Sequence, residues 1–287
     1  FYGKTLNGQE EPRPRWKRAV DEMSATESLG FAIGKVYVAR YFPESSKAQM
    51  ADLVENLRTA LGQRIDGLTW MSDDTKVNAH AKLAAFNPKI GYPDEWTDYT
   101  DLSVDRSDLI GTVKSAYKWS WNNEIKKLGG PIDRNEWGMN PQTVNAYYRP
   151  DLNEIVFPAG ILQAPFFDAA ADPAVNYGGI GAVIGHEVSH GFDDQGAKYD
   201  SDGNLANWWT EEDNARFSVL GKSLVAQFDS IEALPGIHLN GEFTLGENIG
   251  DLGGVFSAYD GLQIHLEENG NPGLIDGFTQ EQRYFIS

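Results

Sequence analysis

None of the 287 residues is cysteine, and that absence excludes disulfides, thiolate metal sites and a cysteine nucleophile together. Histidine is scarce as well. Only His80, His186, His190, His238 and His265 are present, so a bound metal would have to be held by few imidazoles and by carboxylates. Basic residues are outnumbered, Lys+Arg 24 against Asp+Glu 42, for a net charge of −18. That balance argues against nucleic acid as a partner and for a solvated acidic surface. No apolar run approaches the ~20 residues a membrane span needs, and no basic leader with an apolar core is visible, so this segment is expected to hold no membrane span. The chain opens Phe-Tyr-Gly-Lys without an initiator Met, which leaves anything ahead of Phe1 out of view.

What is present suffices for a folded core, with 41% hydrophobic and 12% aromatic residues. From Phe1 to Arg18 the chain is polar, Pro12 and Pro14 are expected to break any helix, and Arg13, Arg15, Lys17 and Arg18 form a basic cluster to which no role is assigned. Met50, Leu53, Leu57, Leu61 and Ile65 recur at helical spacing, with Ser45 or Ser46 as the expected cap. A second helix is predicted from Ser72 to about Phe86, with early carboxylates and Asn87-Pro88 as its stop; it carries His80, read as structural. A third is predicted from about Asp105 to Leu128, ahead of Gly129-Gly130-Pro131. Residues 143–148 and 154–157 are short, β-branched and aromatic, and predict an antiparallel hairpin. A hairpin edge can hold an extended peptide by backbone hydrogen bonds. Further helices are predicted from Thr210 through Phe228, with Pro235-Gly236 closing it, and from Leu245. The fold class expected is mainly α with a small antiparallel β hairpin.

The chemistry concentrates between Gly178 and Asp194. Read as a helix, His186-Glu187-Val188-Ser189-His190 puts both imidazoles on one face, one turn apart, where they can share a metal ion, and places Glu187 beside it as a base. The uncharged flanks Val183, Ile184, Gly185, Val188, Ser189 and Gly191 suit a buried helix, in which two histidines and a glutamate are costly without a ligand. Asp193 and Gly196 stand where a metzincin needs Gly and His, which excludes that class. For the third ligand His238 and His265 are available, but Glu247 fits better. It lies four residues before Asp251 on a glycine-rich helix that can approach another backbone closely, so Glu247 can bind the metal while Asp251 accepts a hydrogen bond from a ligand imidazole. The expected chemistry is hydrolysis of a peptide bond by a zinc-activated water, with Glu187 moving the proton. The acidic turn from Tyr199 to Asn204 lacks the closing Glu of a calcium loop and is read as a surface turn.

Four blocks then resemble a known family: His186 to Asp194, Glu247 to Gly254, Val144 to Tyr148, and Ile155 to Gln163. Taken in chain order, and with the Phe1-to-Leu6 start, they are similar to the M13 peptidases, the neprilysin and endothelin-converting enzyme family, and the lack of cysteine is similar to its bacterial members. The resemblance implies a gluzincin catalytic domain of the thermolysin-like type, one zinc ion on His186, His190 and Glu247, Glu187 as catalytic base, and Asp193 and Asp251 orienting the histidines. It implies that Asn145 and Ala146 pair with the substrate backbone and that Ile161, Phe166 and Val183 line a pocket for the hydrophobic residue after the scissile bond. The activity implied is cleavage of oligopeptides on the amino side of hydrophobic residues, in an extracytoplasmic setting. Residues 1–130 are expected to form a mainly helical segment and 131–287 a catalytic core truncated at its C-terminus. The strong capping box Thr279-Gln280-Glu281-Gln282 opens a helix cut short at Ser287, so the chain is expected to be a fragment whose partners include the N- and C-terminal remainder of the same protein. The family's oxyanion-stabilising His and substrate-binding Arg fall beyond Ser287; acting alone, the chain is expected to bind zinc with hydrolysis reduced by ~10²–10³ or more. The rival expectation is a zinc- and peptide-binding fragment without catalysis.

Overall fold

A computed structural model describes residues 2–287. In chain order its α-helices are α1 (Arg15–Met23), α2 (Gly30–Tyr41), α3 (Glu44–Gly67), α4 (Asp73–Ala84), α5 (Leu109–Lys126), α6 (Pro173–Asn176), α7 (Ala182–Ser189), α8 (Glu211–Asp229), α9 (Leu245–Asn269) and α10 (Gln280–Ile286). The strands are β1 (Asn87–Gly91), β2 (Tyr147–Arg149), β3 (Glu154–Pro158), β4 (Glu232–Leu234) and β5 (Ile237–His238). The fold is mostly helical with small sheets, as expected. It divides into two compact units, residues 1–41 with 92–143, and residues 42–91 with 144–287. None of the described helices is long and apolar enough to cross a membrane.

The first unit holds α1, α2 and α5. Pro14 does not abolish the helix after it. It occupies the cap position of α1, where a missing N–H costs nothing, and the chain turns helical at Arg15. The third predicted helix appears as α5, trimmed to begin after Asp108, whose carboxylate accepts the Gly111 N–H at 2.8 Å. Asn140, almost wholly buried, donates to the Ser24 carbonyl at 2.9 Å, and Gln142 donates to the Gly30 carbonyl at 3.1 Å, which ties the segment after α5 to the entry of α2.

The second unit carries the site. Met50, Leu53, Leu57 and Ile65 of the predicted stripe are buried along α3, with Leu61 half-buried at its margin. The cap is Pro43 rather than Ser45 or Ser46, which lie inside the first turn because the helix already begins at Glu44. Ser72 caps α4 as expected, but the helix ends at Ala84, short of Phe86, and Asn87-Pro88 opens β1. The hairpin of β2 and β3 is antiparallel with Tyr148 opposite Ile155, shorter than predicted because pairing starts at Tyr147. β1 adds a parallel strand on the other side of β3, giving the order β1-β3-β2. Central β3 is buried at all five positions, and its Glu154 is neutralised by Lys89 of β1 at 2.5 Å. Pro88 fits because β1 is an edge strand. Thr210 caps α8, which ends at Asp229; Pro235-Gly236 instead makes the turn between β4 and β5.

The core beneath the site is built by α3, α7, α9 and the turn before α7, with Leu57, Ala60, Ile180, Ile184, Val188, Ala258 and Leu262 at or near zero exposure. The crossing of α7 and α9 is set by glycine. A Cβ on Gly254 would lie 2.5 Å from the Ala182 carbonyl oxygen and 2.7 Å from the His186 nitrogen, so the two backbones approach more closely than any side chain permits. The glycine-rich character of α9 therefore serves close helix approach.

Candidate metal centre

The helix leading into the site is not uniform. α6 passes into a π-helical turn at Tyr177–Gly181 before α7 begins. There the Ile180 N–H leaves the helical ladder and donates to the Phe166 carbonyl at 2.8 Å, so the wide turn is paired with the preceding loop. α7 proper ends at Ser189, and His190 occupies its C-cap position in helical conformation, which keeps its ring one turn from that of His186. The two rings meet edge-on with centroids 4.4 Å apart.

Glu247, in the first turn of α9, closes the group. Its Oε2 lies 3.4 Å from His186 Nε2 and 3.8 Å from His190 Nε2, and ligand atoms of all three residues fall within 4.8 Å of one another. Tetrahedral ligands at ~2.0–2.1 Å from a zinc ion stand roughly 3.4 Å apart, so the donor set fits such an ion. The other ring nitrogens are engaged. His186 Nδ1 lies 2.8 Å from Asp251 Oδ1, and His190 Nδ1 lies 2.8 Å from Asp193 Oδ2. Both Nε2 atoms are thereby left to face the Glu247 carboxylate. Burial alone would lower the His190 pKa, but the Asp193 hydrogen bond and charge outweigh it and raise it.

Glu187 follows His186 directly in α7. It is 7% exposed, and burial pushes its pKa up, against the pull of His190 and His186 and with the push of Glu247. Its carboxylate accepts a hydrogen bond from the Tyr148 backbone N–H, which brings β2 against the site. A buried carboxylate with a raised pKa next to a metal-binding group is suited to accept a proton near neutral pH. Asn145, exposed, and Ala146, buried, come immediately before β2 in the chain. Val183 is half-buried, one turn before His186; Phe166 is half-buried, and Ile161 is 5% exposed in the turn after β3. The mouth is open, with the side chains of Glu247 and Asp251 70% and 78% exposed.

The remaining histidines lie outside this group. His80 pairs with Asp66 at 2.7 Å, His238 faces the Asp229 carbonyl, and His265 packs on the Tyr177 ring. The acidic turn closes on itself, with Asp200 Oδ1 accepting the N–H groups of Asp202 and Asn204, each at 2.9 Å. Missed in the sequence was Lys82, wholly buried behind the loop that follows His190. A lysine on the inward face of an otherwise apolar helical stripe was the signal available.

Comparison with known proteins finds relatives over nearly the whole chain. The profile of peptidase family M13 matches residues 145–287, and the family's N-terminal profile matches residues 1–93. The chain is 40% identical to neprilysin-11 of Caenorhabditis elegans over 99% of its own length and 35% of that protein. It is 36% identical to human neprilysin over all of its length and 40% of that protein. Among solved structures it is similar to the zinc metalloprotease Zmp1 of Mycobacterium tuberculosis in complex with an inhibitor, with 52% identity and a TM-score of 0.89 over 99% of this chain and 43% of that one. PepO of Lactobacillus rhamnosis gives 37% identity and a TM-score of 0.81 over 99% of this chain and 44% of that one. The chain thus spans about two fifths of the length of these relatives, and across that span it belongs to peptidase family M13.

Proposed function

We propose that the chain carries the catalytic zinc site of an endopeptidase that cleaves oligopeptides on the amino side of hydrophobic residues, in an extracytoplasmic setting. The observation behind this reading is the convergence of His186, His190 and Glu247 beside the buried carboxylate of Glu187. His186, His190 and Glu247 hold the ion, and a zinc ion there supplies the Lewis acidity that brings the pKa of a water to ~7. Glu187 takes the proton of the attacking water on its carboxylate and delivers it to the leaving amine. Asp251 and Asp193 keep the Nδ1 protons of His186 and His190 in place, so that each ring presents Nε2. Asn145 and Ala146 bind the substrate backbone next to the β2 edge, and Ile161, Phe166 and Val183 receive the side chain after the scissile bond. The N- and C-terminal remainder of the relatives' length completes the working enzyme.

Zinc stoichiometry and hydrolysis of a fluorogenic peptide test this reading on the chain and two variants. One zinc per chain is expected, with much weaker binding for Glu247→Gln, and with zinc kept but turnover lost for Glu187→Gln. Unchanged zinc affinity in Glu247→Gln removes it from the ligand set. Turnover in Glu187→Gln removes it as the base. A chain that binds zinc and peptide yet cleaves nothing, even when the N- and C-terminal remainder is supplied, is a binding fragment instead.

A further inference from the structure

Lys82 is among the largest wholly buried side chains of the molecule, 1% exposed, and it is a charged one. It reaches inward from α4, and its Nζ donates to the Gly196 carbonyl at 2.6 Å and the Tyr199 carbonyl at 2.7 Å. Three rings surround the amine, Tyr148, Phe192 and Trp208, with centroids 5.8 to 5.9 Å away. Faces of aromatic rings favour a cation electrostatically, which offsets part of the cost of burying it. The helix behind it is anchored too. Asn153, itself wholly buried in the turn between β2 and β3, donates to the Lys82 carbonyl at 3.0 Å and accepts the Tyr148 hydroxyl at 3.1 Å.

The segment that Lys82 grips is the one that orients His190. Asp193 contacts His190 Nδ1 through Oδ2 and accepts the N–H groups of Gln195 and Gly196 on Oδ1, at 2.8 and 2.7 Å. Gly196 is thus held at both ends, its N–H by Asp193 and its carbonyl by Lys82. Gly196 also lies against the His190 carbonyl so closely that no Cβ fits there. Burial draws the Lys82 amine down to about 8, and the charges of Asp193 and Asp200 oppose that fall, so it is mostly protonated at neutral pH.

We infer that Lys82 is a positioning residue for the metal site: its caged amine pins the loop from Asp193 to Tyr199 so that the Asp193 carboxylate holds His190 in register for metal. This rests on the zinc reading of the site. Removing the amine takes the cationic donor from both carbonyls, leaving Gly196 only the Tyr199 N–H and Tyr199 only the Trp208 indole, and so loosens the loop and the imidazole it orients. Loss of a group that supports a ligand through Gly196 and Asp193 is expected at the lower end of the ~10–100-fold seen for direct ligand partners.

The test is zinc affinity of the purified chain by chelator competition, with the visible spectrum of the cobalt-substituted site as a reporter of ligand geometry. Lys82→Met is compared with Asp213→Asn, which disturbs the α4–α8 junction without touching the loop, at temperatures where both are folded by circular dichroism. Expected are roughly tenfold weaker zinc binding and a changed cobalt spectrum in Lys82→Met, with neither in Asp213→Asn. If Lys82→Met does not fold, Lys82→Gln, which retains one short donor, carries the comparison at reduced temperature. Wild-type affinity and spectrum in the Lys82 variant overturn the inference, as does an equal loss in Asp213→Asn. His190→Ala separates the two readings. If wild type binds zinc and His190→Ala does not, an unaffected Lys82 variant refutes the positioning role alone; if wild type binds none, the site reading falls and takes this inference with it.

Discussion

Replacing Gly254 by alanine sets two effects of known size against each other. Alanine is the better helix former by ~1 kcal/mol, and in a 25-residue helix that gain is available. Against it, the new Cβ would sit 2.5 Å from the Ala182 oxygen and 2.7 Å from the His186 nitrogen. Both are backbone atoms, so no rotamer change relieves the overlap, and α9 must move away from α7 by roughly 0.7 Å to restore ordinary contact. Overpacking of this kind costs ~1–3 kcal/mol; with no soft neighbour the upper end applies, leaving a net loss of about 2 kcal/mol. Gly62 supplies the contrast. Its Cβ would meet only His80 and Leu83 side-chain atoms at 3.6 Å, so Gly62→Ala should stabilise by ~0.5–1 kcal/mol. Urea unfolding measures both. The displacement in Gly254→Ala also shifts Glu247 relative to His186 by more than the ~0.2 Å tolerance of a zinc ligand, so zinc affinity should fall with stability. A Gly254→Ala chain as stable as wild type, or one that binds zinc as tightly, would refute the claim that this crossing sets the site.

Two further outcomes follow from buried charge. Asp213 is fully buried and accepts hydrogen bonds from Ser72 and Thr75, an arrangement that holds its carboxyl below the usual carboxylate range despite burial. A group depressed in the folded state stabilises above its unfolded pKa of ~3.9 and loses that contribution as pH falls through the folded value. Asp213→Asn should therefore lower stability at pH 7 and flatten the dependence below pH 4, as followed by thermal unfolding across pH; an unchanged acid limb would contradict it. Lys89→Met should cost ~3–5 kcal/mol in urea unfolding, because it leaves the wholly buried Glu154 without its cation. A loss under 1 kcal/mol would show that other partners satisfy the carboxylate.

The parts of this structure legible in the sequence are those that depend on local spacing. His186 and His190 four residues apart, the α3 stripe, and the caps at Ser72, Thr210 and Thr279 are all local, and the structure has them. That Glu247 joins the histidines is a statement about two helices meeting, and only the carboxylate pair and the glycines hinted at it. β1 was illegible because Asn87-Pro88-Lys89-Ile90-Gly91 carries a proline, a charge and a glycine, and its strand state comes from partner β3 rather than from propensity. The same pairing draws residues 42–91 into the compact unit of the site, which no composition shift near residue 130 reveals. α2, with glycine at positions 30 and 34, lacks a clean polar face and so gave no periodic signal. Lys82 escaped because lysine is ordinarily read as solvated, and its partners are backbone carbonyls with no sequence signature.

The parallel pairing of β1 with β3 has a consequence for the order of synthesis. A nascent chain emerging from the ribosome completes α3, α4 and β1 well before it reaches the strand that covers them, and the intervening residues 92–143 belong to the other compact unit. Until Glu154 to Pro158 has been made, Lys89 has no Glu154 carboxylate to pair with and the apolar face of α3 has no α7 or α9. Non-local pairing of this kind is slow, because a long loop must close before any contact rewards it. Expression yield should therefore depend on how long that half-made layer stays exposed, and chaperone supply or slowed translation should raise the soluble fraction more than they would for a protein whose layers are contiguous in sequence.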